Sequence, residues 1–278
     1  MTSASALIAW FIENSVPLLF VSVITLVVGD TTLRLLRRAD LDLGAMATSI
    51  AAGFAYIMAK GVVSKLVMFG VSMWVYNNCR IWDFDNTVPL VWLAMFVCRD
   101  FVYYWIHRAE HQVKVLWASH MVHHSSEQFT FTTAVRMPWM EALYKPFLAL
   151  WAPLIGFHPV AFAAMGALVL VAGQFQHTEL LARRTPLDLL FVTPSAHRVH
   201  HGSNELYLDK NFGSMLIIWD RVFGTYQAET ETVRFGLVGD KQVRTPAGAV
   251  RGGYPDLIAS ARQMSTTSGR LGVLLSAP

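Results

Sequence analysis

The sequence predicts an all-α integral membrane protein: several transmembrane helices with a cytoplasmic helical cap that carries clustered histidines. Three observations predict it. First, 54% of the 278 residues are hydrophobic and only 15% are charged, against about 25% charged in a soluble domain, and mean hydropathy is +0.41. Second, apolar runs near the length of a bilayer crossing recur along the chain. Third, nine of the ten histidines fall in His107-Arg-Ala-Glu-His111, His120-Met-Val-His123-His124, His197-Arg-Val-His200-His201 and the single His177. Residues i, i+3 and i+4 share one helix face, so these spacings predict helices that each present two or three imidazoles on one stripe.

The elements follow in order. Residues 5–29 are long and apolar enough to cross, with Glu13 and Asn14 near one interface. The run lacks the basic start and small-residue cleavage pattern of a signal peptide. Arg34, Arg37 and Arg38 make a short basic loop. Residues 44–77 read either as an interfacial helix followed by one crossing or as one long tilted helix. Asn77–Asn86 is a polar loop, and residues 87–106 form a further span that runs into the first histidine box. Residues 142–173, broken by Pro146, Pro153 and Gly156-Phe-His-Pro159, are too short for two comfortable crossings and read as a tight helical hairpin. Three regions follow: 1–86, N-terminal anchor helices; 87–226, the histidine-box domain; and 227–278, expected to be a mobile cytoplasmic tail with little bearing on chemistry.

The positive-inside rule puts the Arg34–Arg38 loop in the cytoplasm. One crossing through 44–77, a return through 87–106 and a hairpin at 142–173 then leave all nine histidines on the cytoplasmic side. Net charge is only +3 and no basic block interleaves with aromatics, so nucleic acid is not an expected partner. Cys79 and Cys98 make no disulfide framework.

Imidazole is the commonest metal ligand. Nine imidazoles exceed the four to six ligands of one ion, which predicts two metals held by His107, His111, His120, His123, His124, His177, His197, His200 and His201. His158, at the hairpin tip, is read as structural. Glu110 lies two places from where a zinc-peptidase H-E-x-x-H motif would need it, and Arg108 stands there instead. Asp100 lies two helical turns before His107. It is expected either to support a ligand ring or to pair with Arg99 or Arg108. Asn204, Asn211 and Asp220, just past the third box, are candidates for the same supporting role or for ordinary capping. Arg136 and Glu141 are read as pairing with each other or anchoring at headgroups. Tyr103, Tyr104, Trp105, Trp117 and Trp139 are read as an interfacial belt rather than a lipid tunnel.

In combination these residues resemble the fatty acid hydroxylase/sterol desaturase superfamily. The resemblance rests on Asp100 to His111, Trp117 to Ser125, Gln176-His177-Thr178, Thr193 to Asn204, Asn211-Phe-Gly213 and Trp219 to Tyr226, and covers roughly residues 87–226. It implies a membrane oxidoreductase with two iron ions held by the histidine boxes, using O2 to hydroxylate or desaturate a fatty acyl, sterol, carotenoid or alkyl lipid, or to cleave an ether. His177 matches an extra histidine between the second and third boxes. Some members have another ligand four residues earlier, where this chain has Gly173, with Gln174 the nearest alternative. No flavin, nicotinamide or haem signature is present, so electrons are expected from a separate ferredoxin, cytochrome or reductase. The compact size points to a bacterial inner membrane. The competing class is a non-oxygenase metal protein, a zinc-dependent membrane hydrolase or a metal carrier. A carrier would place its ligands near the bilayer midplane. A zinc hydrolase would want about three ligands, a water and a base.

Overall fold

Apolar length dictates the scaffold, and the computed structural model, which describes residues 3–37, 41–181, 185–239 and 243–278, shows how it is used. The described residues are helical with no strand, one isolated bridge joining Phe191 to Leu216. Three helices are long and apolar enough to cross a membrane, and the chain is a membrane protein. Helix α1 (Ser3–Leu36) carries its candidate span at Pro17–Leu36, shifted from the expected 5–29 so that Glu13 and Asn14 fall before it. The shift takes in Asp30 and Arg34. Arg34 is therefore not a loop residue: its Nε donates to both Asp30 carboxylate oxygens at 3.1 Å, an i, i+4 pair that neutralises both charges within the helix. Arg38 lies outside the described residues.

Residues 43–79 form one continuous helical run, as the long-helix alternative required. It comprises α2 (Leu43–Ser64), a π-helical stretch (Lys65–Ser72) and α3 (Met73–Cys79). The polar loop that follows closes on the hairpin. Ile81 and Trp82 donate their N–H groups to the carbonyls of Leu154 and Ile155 at 2.9 and 3.1 Å. Gly156, at φ +125°, lies so close to the Trp82 carbonyl that a Cβ would stand 2.1 Å from it. Only glycine combines that φ with that approach.

Helix α4 (Pro89–Gln112) starts with proline at its first turn and is broken from α5 (Lys114–His124) by Val113 alone, in extended conformation. That one-residue break turns the second box back towards the first. The short α6 (Phe131–Ala134) is capped by Thr130. The 142–173 region forms α7 (Glu141–Leu148), α8 (Trp151–Ile155) and α9 (Pro159–Gln174), reversing at Gly156–His158. Its arms part: α7 lies on α2 and α9 on α1. The α9 stripe Ala161, Met165 and Val169 packs with Met95 of α4, Ala152 and Phe157. His158 caps α9, its Nδ1 accepting from the Val160 N–H at 3.3 Å.

Thr193 and Pro194 start α10 (Pro194–His200), which carries the third box. Helix α11 is Ile218–Val222. The C-terminal residues are packed rather than a free tail. Helices α12 (Pro246–Arg251), α13 (Tyr254–Arg262) and α14 (Thr267–Leu275) lie against α2 and α5. The Gly253 N–H donates to the Ala118 carbonyl at 2.7 Å and Lys114 N–H to Ser276 O at 2.9 Å. The Trp139 indole reaches Val250 O at 2.8 Å.

Candidate metal centre

The eight histidines of the boxes and His177 come together, buried, at the C-terminal end of α4. They sort into two groups, in each of which one ring nitrogen from every residue lies within 4.8 Å of the others: His107, His111, His120, His124 and His200, and His123, His177, His197 and His201. The sorting is reciprocal. The second box sends its i and i+4 residues to the first group and its i+3 residue to the second. The third box does the reverse. The pair His107 and His111 completes the first group. His177 completes the second, and the place of its i−4 counterpart is Gly173. The groups adjoin, with the rings of His124 and His201 stacked 4.3 Å apart.

Backbone carbonyls and one carboxylate set the tautomers. Nδ1–H of His107 donates to Phe212 O (2.8 Å), of His123 to Arg136 O (3.3 Å), of His177 to Gly173 O (3.0 Å) and of His200 to Lys210 O (3.0 Å). His120 Nδ1–H donates to Glu141 Oε1 at 2.8 Å. A ring that donates through Nδ1 and is neutral carries a bare lone pair on Nε2. Yet the Nε2 atoms of His107 and His120 stand 3.1 Å apart, and those of His123 and His177 3.4 Å apart. Facing lone pairs repel unless a cation lies between them. Buried Nε2 atoms of His111, His200 and His201 have no hydrogen-bond partner among the described residues. The donor set therefore fits a metal in each group. Burial keeps the rings neutral and ligand-ready: it lowers His120 to about 3 and His177 and His200 to about 4, and holds His123, His124, His197 and His201 well below the usual imidazole range.

Each group has an aromatic wall. Phe212 packs on His107, His111 and His200, and Phe129 on His177, His197 and His201. Trp117 lies against His111 and His124, and Tyr104 is fully buried with its hydroxyl 2.9 Å from Thr225 Oγ1. These two aromatics belong to the site rather than to an interfacial belt.

The polar residues singled out from the sequence act at one remove, and none of the four bonds to a histidine ring. Asp220 accepts from the N–H groups of Phe212 and Gly213 at 2.7 and 2.8 Å, so it fixes the peptide whose carbonyl orients His107. Asn211, at φ 57°, donates to Ala196 O and Gln227 O at 3.0 and 2.8 Å. It locks the loop between Lys210 and Phe212, the acceptors for His200 and His107. Asparagine tolerates that left-handed conformation. Asp100 pairs with neither Arg99 nor Arg108. It accepts from Met215 N, Leu216 N and the Trp219 indole at 2.8, 3.1 and 2.9 Å, which ties the same loop to α4. Asn204 holds the chain at Thr232 and Arg234, away from the rings.

The residues that reach a ring were assigned no such part. Glu141 and Arg136 do not pair with each other. Glu141, fully buried, grips His120 and takes Lys145 Nζ at 2.5 Å, while Arg136 gives its carbonyl to His123 and its guanidinium to the carbonyls of Val122 and Val243. Glu110 stands 3.7 Å from His120 Nδ1, 3.0 Å from Lys145 Nζ and 2.5 Å from the Tyr144 hydroxyl. Burial opposes the Lys145 ammonium, but the two carboxylates outweigh it and hold the lysine charged. Glu110, His120 and Glu141 could in principle hold a third ion; the ammonium already fills that cation position. Glu141 and Lys145 are at i, i+4, the one cue in sequence that could have found them. On α10, Arg198 bonds Glu229 at 2.7 Å and Thr178 O at 2.9 Å, tying the third box to the segment after His177.

A family model described as Fatty acid hydroxylase matches residues 92–225. Alkylglycerol monooxygenase from Homo sapiens is 40% identical over 166 residues, covering 59% of this chain and 37% of its own. The Xenopus tropicalis protein of the same name is 37% identical over 68% of this chain and 42% of its own. An ornithine lipid hydroxylase from Rhizobium tropici is 35% identical over 47% and 40%. The chain thus spans about two fifths of the length of these relatives. No solved structure matches it. Residues 92–225, with every box inside them, make a fatty acid hydroxylase domain, and through it the chain belongs to the fatty acid hydroxylase/sterol desaturase superfamily.

Proposed function

We propose that the chain is a membrane oxygenase that oxidises a C–H bond of a lipid with O2 at a pair of irons. His107, His111, His120, His124 and His200 would hold one iron and His123, His177, His197 and His201 the other. The observation that carries this reading is the facing of bare Nε2 atoms within each of two buried groups. The two groups offer five and four imidazoles, a donor set that both iron and zinc accept; relatives named as a monooxygenase and a hydroxylase support iron. A bound pair of irons supplies the electrons and Lewis acidity that O2 activation needs. The chain's own part is to orient and to exclude water. Carbonyls of Phe212, Arg136, Gly173 and Lys210 and the Glu141 carboxylate aim the rings, and Phe212 and Phe129 wall off solvent. A ring donor at Gly173 is missing, which leaves the second group one nitrogen short of the first.

The lipid class is supported by relatives named for alkylglycerols and ornithine lipids, which are the first substrates to try. Electrons would come from a separate ferredoxin, cytochrome or reductase. The histidines all lie at one end of α4, and the basic residues Arg37 and Arg38, which follow the α1 span in the sequence, support a cytoplasmic position there, in a bacterial inner membrane. The test is product analysis by mass spectrometry after purified, iron-loaded protein is given O2, a chemical reductant and each lipid. An oxygenated or cleaved lipid that is absent without O2 is expected. Lipid returned unchanged in every case, from protein holding its metal, contradicts the reading.

A further inference from the structure

Arg99 is a cation in the middle of α4 that nothing described so far uses. It is half-buried, and its Nη1 is sealed from solvent with no hydrogen-bond acceptor among the described residues. Its neighbour Asp100 is fully engaged by the loop at Met215–Trp219, one helical step round from Arg99. The guanidinium lies against α9 at Gly166, where an added Cβ would stand 3.8 Å from Nη2, with Tyr56 of α2 and Tyr103 near it. An ionisable group within a membrane span is costly, and partners or function normally account for it. Here Asp100, Tyr103 and Tyr56 act on the cation only through space, and no described group accepts a hydrogen bond from Nη1.

Its position on the helix says what would. Arg99, Tyr103 and His107 are i, i+4 and i+8, one stripe of α4. Tyr103 packs on the His107 ring, centroids 5.3 Å apart, so the stripe runs without a break from the Arg99 guanidinium to the candidate metal ligands, about 12 Å along the axis. A guanidinium offers a planar fork that matches carboxylate or phosphate.

We infer that Arg99 is a subsite for the anionic oxygens of a lipid, carboxylate or phosphate, whose chain lies along α4 towards His107. The inference rests on the lipid-oxygenase reading above. It makes Arg99 a determinant of which lipid is accepted and not a participant in the chemistry.

The test is binding to metal-free, detergent-solubilised full-length protein, by displacement of a fluorescent fatty acid with palmitate, hexadecyl phosphate and hexadecanol. Wild type is expected to favour one or both anions over the alcohol by about tenfold or more, the scale of a hydrogen bond to a charged group. R99Q is expected to erase that preference while leaving helicity and iron uptake intact. R99K, with charge but no fork, should retain part of it. Preference for palmitate alone identifies a carboxylate, and for hexadecyl phosphate alone a phosphate. No preference in wild type, or an undiminished one in R99Q, overturns the inference. If R99Q does not fold, an undiminished preference in R99K does the same for the fork. Absence of any lipid oxidation by iron-loaded wild type, with the binding pattern intact, would instead overturn the oxygenase reading and leave Arg99 as a lipid-anion site.

Discussion

His120 illustrates the residue scale: one nitrogen faces His107 and the other is held by Glu141. Carboxylates that orient ligand rings typically account for 10–100-fold in metal affinity or activity. Glu141→Gln keeps the shape but loses the charge beside Lys145, and iron affinity measured by chelator competition should fall by about that factor. His123→Ala and His200→Ala remove one ligand from different groups, so each is expected to lower bound metal to about one per chain while membrane insertion persists. Full metal content in both variants would remove them as ligands. His158→Ala, which loses only a cap on α9, should leave metal content unchanged. The eight box histidines were legible because i, i+3 and i+4 spacing has one helical meaning, and His177, which stands alone, was legible only through the family resemblance. Glu110 and Glu141 were not, because a single acid beside a polar stretch has no periodicity. What marks them is burial against His120, which only the fold creates.

At the scale of elements, the metal groups depend on how short helices are held. The one-residue break at Val113 folds α5 onto α4. The segment from Lys210 to Asp220 supplies the carbonyls that aim His107 and His200. The backbone of Gly252–Gly253 clamps the far side of α5. A Cβ on Gly252, which sits at φ +55°, would stand 2.5 Å from Ala118 O, and one on Gly253 2.6 Å from Met121 Sδ. Gly253→Val should therefore destabilise the protein by about 1–3 kcal/mol, the usual cost of overpacking, and loosen metal binding through α5, read as a lower melting temperature in the metal-loaded form. An unchanged melting temperature would show that the C-terminal helices do not brace α5. The long apolar helices were legible from length and composition. The docking of residues 243–278 was not: it runs through backbone contacts at two glycines and through Val243, Ala249 and Leu257, buried residues spaced too widely to make a helical stripe. The sequence likewise placed the first span too early, since Asp30 and Arg34 look prohibitive until seen as a pair.

Across the whole molecule, the buried imidazoles make stability depend on pH. Their folded values are depressed, to about 4 for His177 and His200, from about 6.5 unfolded. Below 6.5 the unfolded chain binds more protons than the folded one, so this contribution is full above that pH and is lost as pH falls towards 4. Acid also competes with metal for the same lone pairs. Metal release and a falling melting temperature should therefore appear together between about pH 6.5 and 4. A melting temperature flat across that window would contradict the burial of neutral rings.

The central claim is that two buried histidine groups hold two irons that act on O2. Metal analysis and O2 uptake on purified protein, reconstituted with iron and a chemical reductant, test it most directly. About two irons per chain with lipid-dependent O2 consumption is the result expected from two separate donor groups. Tightly held zinc alone, with no O2 uptake after iron loading, would contradict it.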